Sequence, residues 1–136
     1  MNIPMLLTPK SEVMYIYDTY TVRQALEKME HHRYSAIPII NAEGAYVGTI
    51  TEGDLLWGIK NNFHKIDFEE LSECSVMDIK RHSDNMPISI AEKIEELFER
   101  TLEQNFVPVI DDSNTFIGIV TRRKIMEYIK RQNTQG

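Results

Sequence analysis

The chain repeats itself. The run SAIPIINAEGAYVGTIT at residues 35–51 returns as NFVPVIDDSNTFIGIVT at residues 105–121. Pro38 and Gly48 are matched by Pro108 and Gly118 at a constant spacing of 70, with no gap across the seventeen positions. A repeat of this kind means one supersecondary unit written twice. Each copy reads as two short strands about a turn. The strands are 36–40 and 46–50 around NAEG, then 106–110 and 116–120 around DDSN. β-branched and aromatic residues fill the strands and turn formers fill the gaps. An amphipathic helix precedes each hairpin, carried by Val22, Ala25, Leu26 and Met29 and then, at a spacing of 72, by Ile94, Leu97, Phe98 and Leu102. Thr21 with Gln24 and Ser89 with Glu92 fit capping boxes. A second helix follows each hairpin, on Leu55, Leu56 and Ile59 and on Ile125, Met126 and Ile129. Short extended segments, 13–17 and 86–89, lead into the copies. Segment 61–81 joins them; Phe68, Leu71, Val76 and Ile79 make it short helices rather than a floppy linker.

Each copy is therefore strand–helix–strand–strand–helix, and at about 60 residues it is too small to bury an adequate core alone. The fold class expected is α/β (α+β). Two β-α-β-β-α repeats pack their sheets together about an approximate two-fold axis, with helices outside. Repeat 1 takes residues 1–65 and repeat 2 residues 66–136. The net charge of −6 speaks against nucleic acid or an acidic membrane as partner. No stretch has the apolar length to span a bilayer, and MNIPMLLTPK is too short and too poor in cations for a signal peptide. The single cysteine, Cys74, has no disulfide partner in the chain and no Cys companion for zinc. A cytoplasmic protein is the simplest expectation.

The repeated phrase reverses its charge. GTITEGD at residues 48–54 becomes GIVTRRK at residues 118–124. Thr51 stands where a helix opens, and free N–H groups there favour an anion. Asp54, three residues on, is placed either to accept hydrogen bonds from a pair of sugar hydroxyls or to complement the helix dipole while Thr51 caps the helix. Arg122, Arg123 and Lys124 oppose the dipole at the matching helix start, so they call for an anion, for acidic neighbours or for solvent. An acid from one copy and bases from the other would make complementary halves of one site for a sugar phosphate. Adjacent His31 and His32 point to different faces and suit solvated cations at a helix end. Trp57 is expected to pack at a helix interface. No Ser/His/Asp or Cys/His arrangement is visible, so no enzyme is expected.

The stretches ALEKMEHHRYSAIPIINAEGAYVGTITEGDLL and FVPVIDDSNTFIGIVTRRKIM resemble the cystathionine-β-synthase (CBS) domain family, as a tandem pair or Bateman module. The resemblance covers nearly the whole chain and implies a regulatory module that binds adenine-containing ligands in the cleft between repeats. It implies that Asp54 holds ribose hydroxyls and that Thr51 lies by the ribose or phosphate. Tyr34, Ser35, Ala36, Ile37 and Pro38 would line base and sugar, and Val13, Met14 and Ile16 would flank the base. Arg122 and Arg123 would reach the phosphates, with Asn105 facing the same cleft as the counterpart of Ser35. Lys124 replaces the second copy's Asp, so one occupied site per chain is expected. The ligand expected first is AMP, ADP or ATP, with no required cofactor and no metal. HKIDFEEL and TRRKIM also look like small CBS proteins that bind cyclic di-AMP, although Glu12 and Met14 depart from that subgroup; a ligand-free dimeric scaffold is the other alternative. Such modules imply a homodimer and an unidentified protein partner.

Overall fold

The computed structural model describes residues 1–32, 34–62, 67–82 and 84–135. Among the described residues fifteen elements form two compact units, one of Met14–Asp84 and one of Met1–Val13 with Asn85–Gly136. The expected boundary at residues 65 and 66 lies outside the described residues.

In the first unit β2 (Ile16–Tyr17) runs parallel to β3 (Ala36–Ile40), which pairs antiparallel with β4 (Tyr46–Thr51). Helix α2 (Val22–His32) precedes the hairpin, α3 (Glu52–Asn62) follows it, and α4 (Phe68–Glu73) comes next. Ile16, Ile37, Ile39 and Ile50 from the sheet meet Val22, Ala25 and Leu55 from the helices in a core that also buries Leu71, Val76 and Ile79 of the linker. The linker is thus helical and packed, although Phe68 lies exposed beneath the Arg23 guanidinium, 4.7 Å from the ring centroid.

The other unit repeats that plan. β5 (Ile88–Ser89) runs parallel to β6 (Phe106–Ile110), β6 pairs antiparallel with β7 (Phe116–Thr121), and α5 (Ile94–Thr101) and α6 (Arg122–Gln135) flank the hairpin. The registers match residue for residue. Ala36 opposes Thr51 and Ile39 opposes Gly48; Phe106 opposes Thr121 and Val109 opposes Gly118; a bulge follows at Ile39/Ile40 and again at Val109/Ile110. The turns match too. Gly44 and Asn114 hold the left-handed position, with φ of 86° and 63°. Asn41 Oδ1 accepts the N–H groups of Glu43 and Ala45, and Asp111 Oδ1 accepts those of Ser113 and Thr115. Glycine and asparagine are the residues that adopt this backbone at least cost. The spacing falls from 72 to 70 because α5, with 8 residues, is shorter than α2, with 11.

Two features were not expected. Helix α1 (Ile3–Leu6) buries Ile3 and Leu6 in the second unit's core, and β1 (Thr8–Pro9) adds a fourth strand beside β7, in the order β1-β7-β6-β5. Secondly, Ser89 and Glu92 make no capping box. Ser89 ends β5, and α5 starts at Ile94 behind Lys93, which gives no side-chain cap. Lys93 is the counterpart of Thr21, whose box with Gln24 is formed at 2.8 and 3.1 Å.

Candidate functional site

The site is built from the helix start after β4. Asp54 is 6% exposed. Its Oδ2 accepts the Thr51 N–H at 3.0 Å, and Thr51 Oγ1 accepts the Asp54 N–H at 3.0 Å. This is a reciprocal capping box, so the bland expectation for Thr51 and Asp54 is realised. Asp54 Oδ1 accepts the His82 N–H at 2.9 Å. An ionised carboxylate has about four acceptor positions, and these N–H groups take two of them.

Sequence reasoning missed the segment that delivers His82. Asp84 lies over Gly48, where a Cβ would fall 2.8 Å from Asp84 Oδ2 and closer still to Oδ1. Asp84 Oδ1 accepts the Thr49 N–H at 2.9 Å and the Arg81 Nε–H at 2.7 Å. That hydrogen bond raises the Arg81 pKa above its ordinary value. Thr49 itself is fully buried, and its hydroxyl is 2.6 Å from that of Tyr46. The Arg81–Asp84 pair therefore ties the approach to the second repeat onto the first repeat's hairpin. The counterpart is β1, whose Thr8 carbonyl occupies the face of Gly118. The repeated glycine serves close approach in both copies, by a carboxylate in one and by a backbone in the other.

The other expected residues fall as follows. Ile16 is buried against β3, Met14 is half-buried against the same core, and Val13 belongs to the other compact unit. Tyr15 and Tyr17 meet edge to face at 5.8 Å beside Ile16; burial, then the hydrogen bond with Tyr17, raises the Tyr15 phenol. Ala36, Ile37 and Pro38 pair with Thr51, Ile50 and Thr49. The Ser35 carbonyl accepts the Glu52 N–H at 2.9 Å, and its counterpart Asn105 accepts that of Arg122 at 3.1 Å. Tyr34 stacks on His32 and lines a groove of about 680 Å³ beside α2, α3 and α4.

The basic triplet is less open than its sequence implied. Arg122 donates from Nε to the Thr101 carbonyl at 2.7 Å and from Nη2 to that of Leu102 at 3.4 Å. Its charge complements the negative end of α5, so the anion that offsets it is a helix terminus. Arg123 is 89% exposed and pairs with Glu127 at 3.1 Å. Lys124 donates its N–H to Thr121 Oγ1 at 3.0 Å and, as a cation, returns no bond to Thr121. Trp57 is exposed, with Lys60 Nζ 4.9 Å from its ring centroid, rather than packed at a helix interface within the chain. Among the described residues no group of three or more His, Cys, Asp or Glu side chains is set to hold a metal ion, and no helix is long and apolar enough to cross a membrane.

Comparison with known proteins agrees with the repeat. The model of the CBS domain matches residues 6–61 and 76–131. The protein MJ1225 of Methanocaldococcus jannaschii is 27% identical over 141 residues, covering 90% of this chain and 47% of that protein. This chain spans less than half the length of the curated relatives it matches. Among solved structures, CbpB in complex with c-di-AMP superposes with a TM-score of 0.87 at 24% identity, covering 99% of this chain and 88% of that one. CBSX2 in complex with AMP superposes with a TM-score of 0.77 at 21% identity, covering 97% and 98%.

Proposed function

The chain belongs to the CBS domain family, and from that membership we propose that it is a regulatory module that binds an adenine nucleotide, AMP, ADP or ATP, with Asp54 holding the ribose hydroxyls. The observation that carries the reading is the state of Asp54. Its carboxylate sits at a helix start, nearly buried, with two oxygen positions committed to backbone N–H groups and two left for a vicinal diol. The same hydrogen bonds couple the site to its surroundings, because a ribose that draws on Asp54 Oδ1 also bears on His82 and, beside it, the Arg81–Asp84 pair. Occupancy would thereby bear on the bond between Asp54 and His82, which is how a binding module can signal without turnover.

Cyclic di-AMP is the second reading. It draws on the two adjacent exposed cations, Arg123 and Lys124, since two phosphates call for two charges.

A thermal-shift screen of AMP, ADP, ATP, S-adenosylmethionine, NAD and cyclic di-AMP tests both. Ligand at 100 times its dissociation constant should add about 2.7 kcal/mol of stability. The shift should vanish in Asp54→Ala. A shift with cyclic di-AMP alone would select the second reading. No shift with any adenylate would leave a scaffold as the function.

A further inference from the structure

Beside Asp54 an arginine is already held by an acid of the same chain. We propose that Asp84 is a built-in competitor for the nucleotide: it occupies the Arg81 guanidinium until the phosphate of a ligand seated on Asp54 takes that guanidinium from it. This rests on the nucleotide reading above, and it names both the cation that answers the phosphate and the acid that must yield.

The pair is forked. Arg81 Nε donates to Asp84 Oδ1 at 2.7 Å and Nη2 donates to Oδ2 at 3.3 Å. Nη1 reaches the Met77 sulfur at 3.7 Å, a weak acceptor, so one arm of the fork lacks a strong partner. A phosphate presents a guanidinium with the same two-oxygen edge as a carboxylate, and it carries more charge. The place is also right. His82, the next residue, gives its N–H to Asp54 Oδ1 at 2.9 Å. The Asp84 hydrogen bond raises the Arg81 pKa, burial works against it, and the charges of Asp84, Tyr46 and Asp54 add to the rise. The guanidinium therefore lies within the field of the carboxylate that is to hold the ribose.

Asp84 is able to yield. Its side chain is 36% exposed against 19% for Arg81, so solvent reaches the acid more readily than the base. Asp84 Oδ1 also keeps the Thr49 N–H at 2.9 Å when Arg81 leaves. The released carboxylate is thus neither buried nor without a donor, which keeps the exchange from stranding a charge. In the other copy, at the spacing of 72, Pro9 and Glu12 stand in place of Arg81 and Asp84, so the exchange belongs to the Asp54 site alone.

Calorimetric titration of adenosine and of AMP into wild type, Arg81→Met and Asp84→Asn tests this. The readout is the ratio of the two affinities, because a disturbed Asp54 weakens both ligands alike while only AMP carries a phosphate. Arg81→Met should lower the preference for AMP at least about tenfold, the loss of one bond between charged groups. Asp84→Asn, which keeps an oxygen for Thr49, should raise it about threefold, the strength of a partly exposed ion pair. Competition moves the two variants in opposite directions, whereas a merely structural pair does not. Inorganic pyrophosphate, followed at the Thr49 amide by NMR, repeats the test without a nucleoside: it should bind Asp84→Asn more tightly than wild type and Arg81→Met more weakly. Circular dichroism melts should confirm that both variants fold. A ratio unmoved in both variants, or moved the same way in both, would overturn the proposal and leave the nucleotide reading standing. Should neither adenosine nor AMP bind while pyrophosphate keeps that order, the nucleotide reading falls and the exchange at Arg81 stands. Failure of all three to bind would overturn both.

Discussion

Asp54→Asn isolates the bond that joins the two roles of this carboxylate. In the wild type each oxygen accepts one backbone N–H, from Thr51 at 3.0 Å and from His82 at 2.9 Å. Asparagine keeps one oxygen and turns an NH2 group toward the other N–H. One charge-assisted bond is lost outright and the second becomes neutral. A bond to a charged group contributes about 1.5–3 kcal/mol net, and a buried donor left unpaired costs about 1–3 kcal/mol. The negative charge at the start of α3 adds about 0.3–1 kcal/mol. These terms overlap, so the expected loss is about 2–4 kcal/mol, which for a domain of this size lowers Tm by roughly 8–15 °C. Urea unfolding of the ligand-free protein, followed by far-UV circular dichroism, reads it as a lower midpoint at unchanged slope. A variant within about 0.5 kcal/mol of wild type would refute the reasoning, because Asp54 would then be holding neither Thr51 nor His82. The size of this effect also means that ligand binding by Asp54 variants must be compared well below their own melting temperatures.

Lys124→Asp should stabilise the protein by about 0.5–1.5 kcal/mol in the same assay, because it lets the second helix start return the bond to Thr121 and complements its dipole. Gly118→Ala should cost about 2–4 kcal/mol and expose the first ten residues to protease, since its Cβ would lie 2.8 Å from Leu7 Cδ1 and 3.1 Å from Pro9 Cα, and β1 would have to leave. Gly48→Ala should cost less, about 1–2 kcal/mol, because a side-chain carboxylate can swing away where a strand cannot.

Much of the fold was legible because the repeat fixes its own alignment. Pro38, Gly48, Pro108 and Gly118 set strand boundaries and register, and burial follows the apolar pattern at Val22, Ala25, Met29 and Leu97. Local chemistry was legible where it was local: Thr21 with Gln24, and Thr51 with Asp54, are four-residue signatures. The failures share one cause. Ser89 and Glu92 satisfy the same signature, yet Ser89 sits in a parallel strand, and tertiary pairing with β6 overrides the local preference. Arg122 binds carbonyls about 20 residues away, β1 pairs across more than 100 residues, and Asp84 reaches back 35. Contacts of that range leave no periodicity in the chain. The charge reversal from Asp54 to Lys124 was plain in the sequence, but the helix terminus that answers Arg122 was not.

Isothermal titration calorimetry of AMP, ADP and ATP into wild type and Asp54→Asn, at a temperature where both are folded, tests the central claim most directly. The account predicts heat from at least one of them at one site per chain in wild type, and at least a tenfold weaker affinity in the variant, about 1.4 kcal/mol. Equal affinity in the two proteins would contradict it.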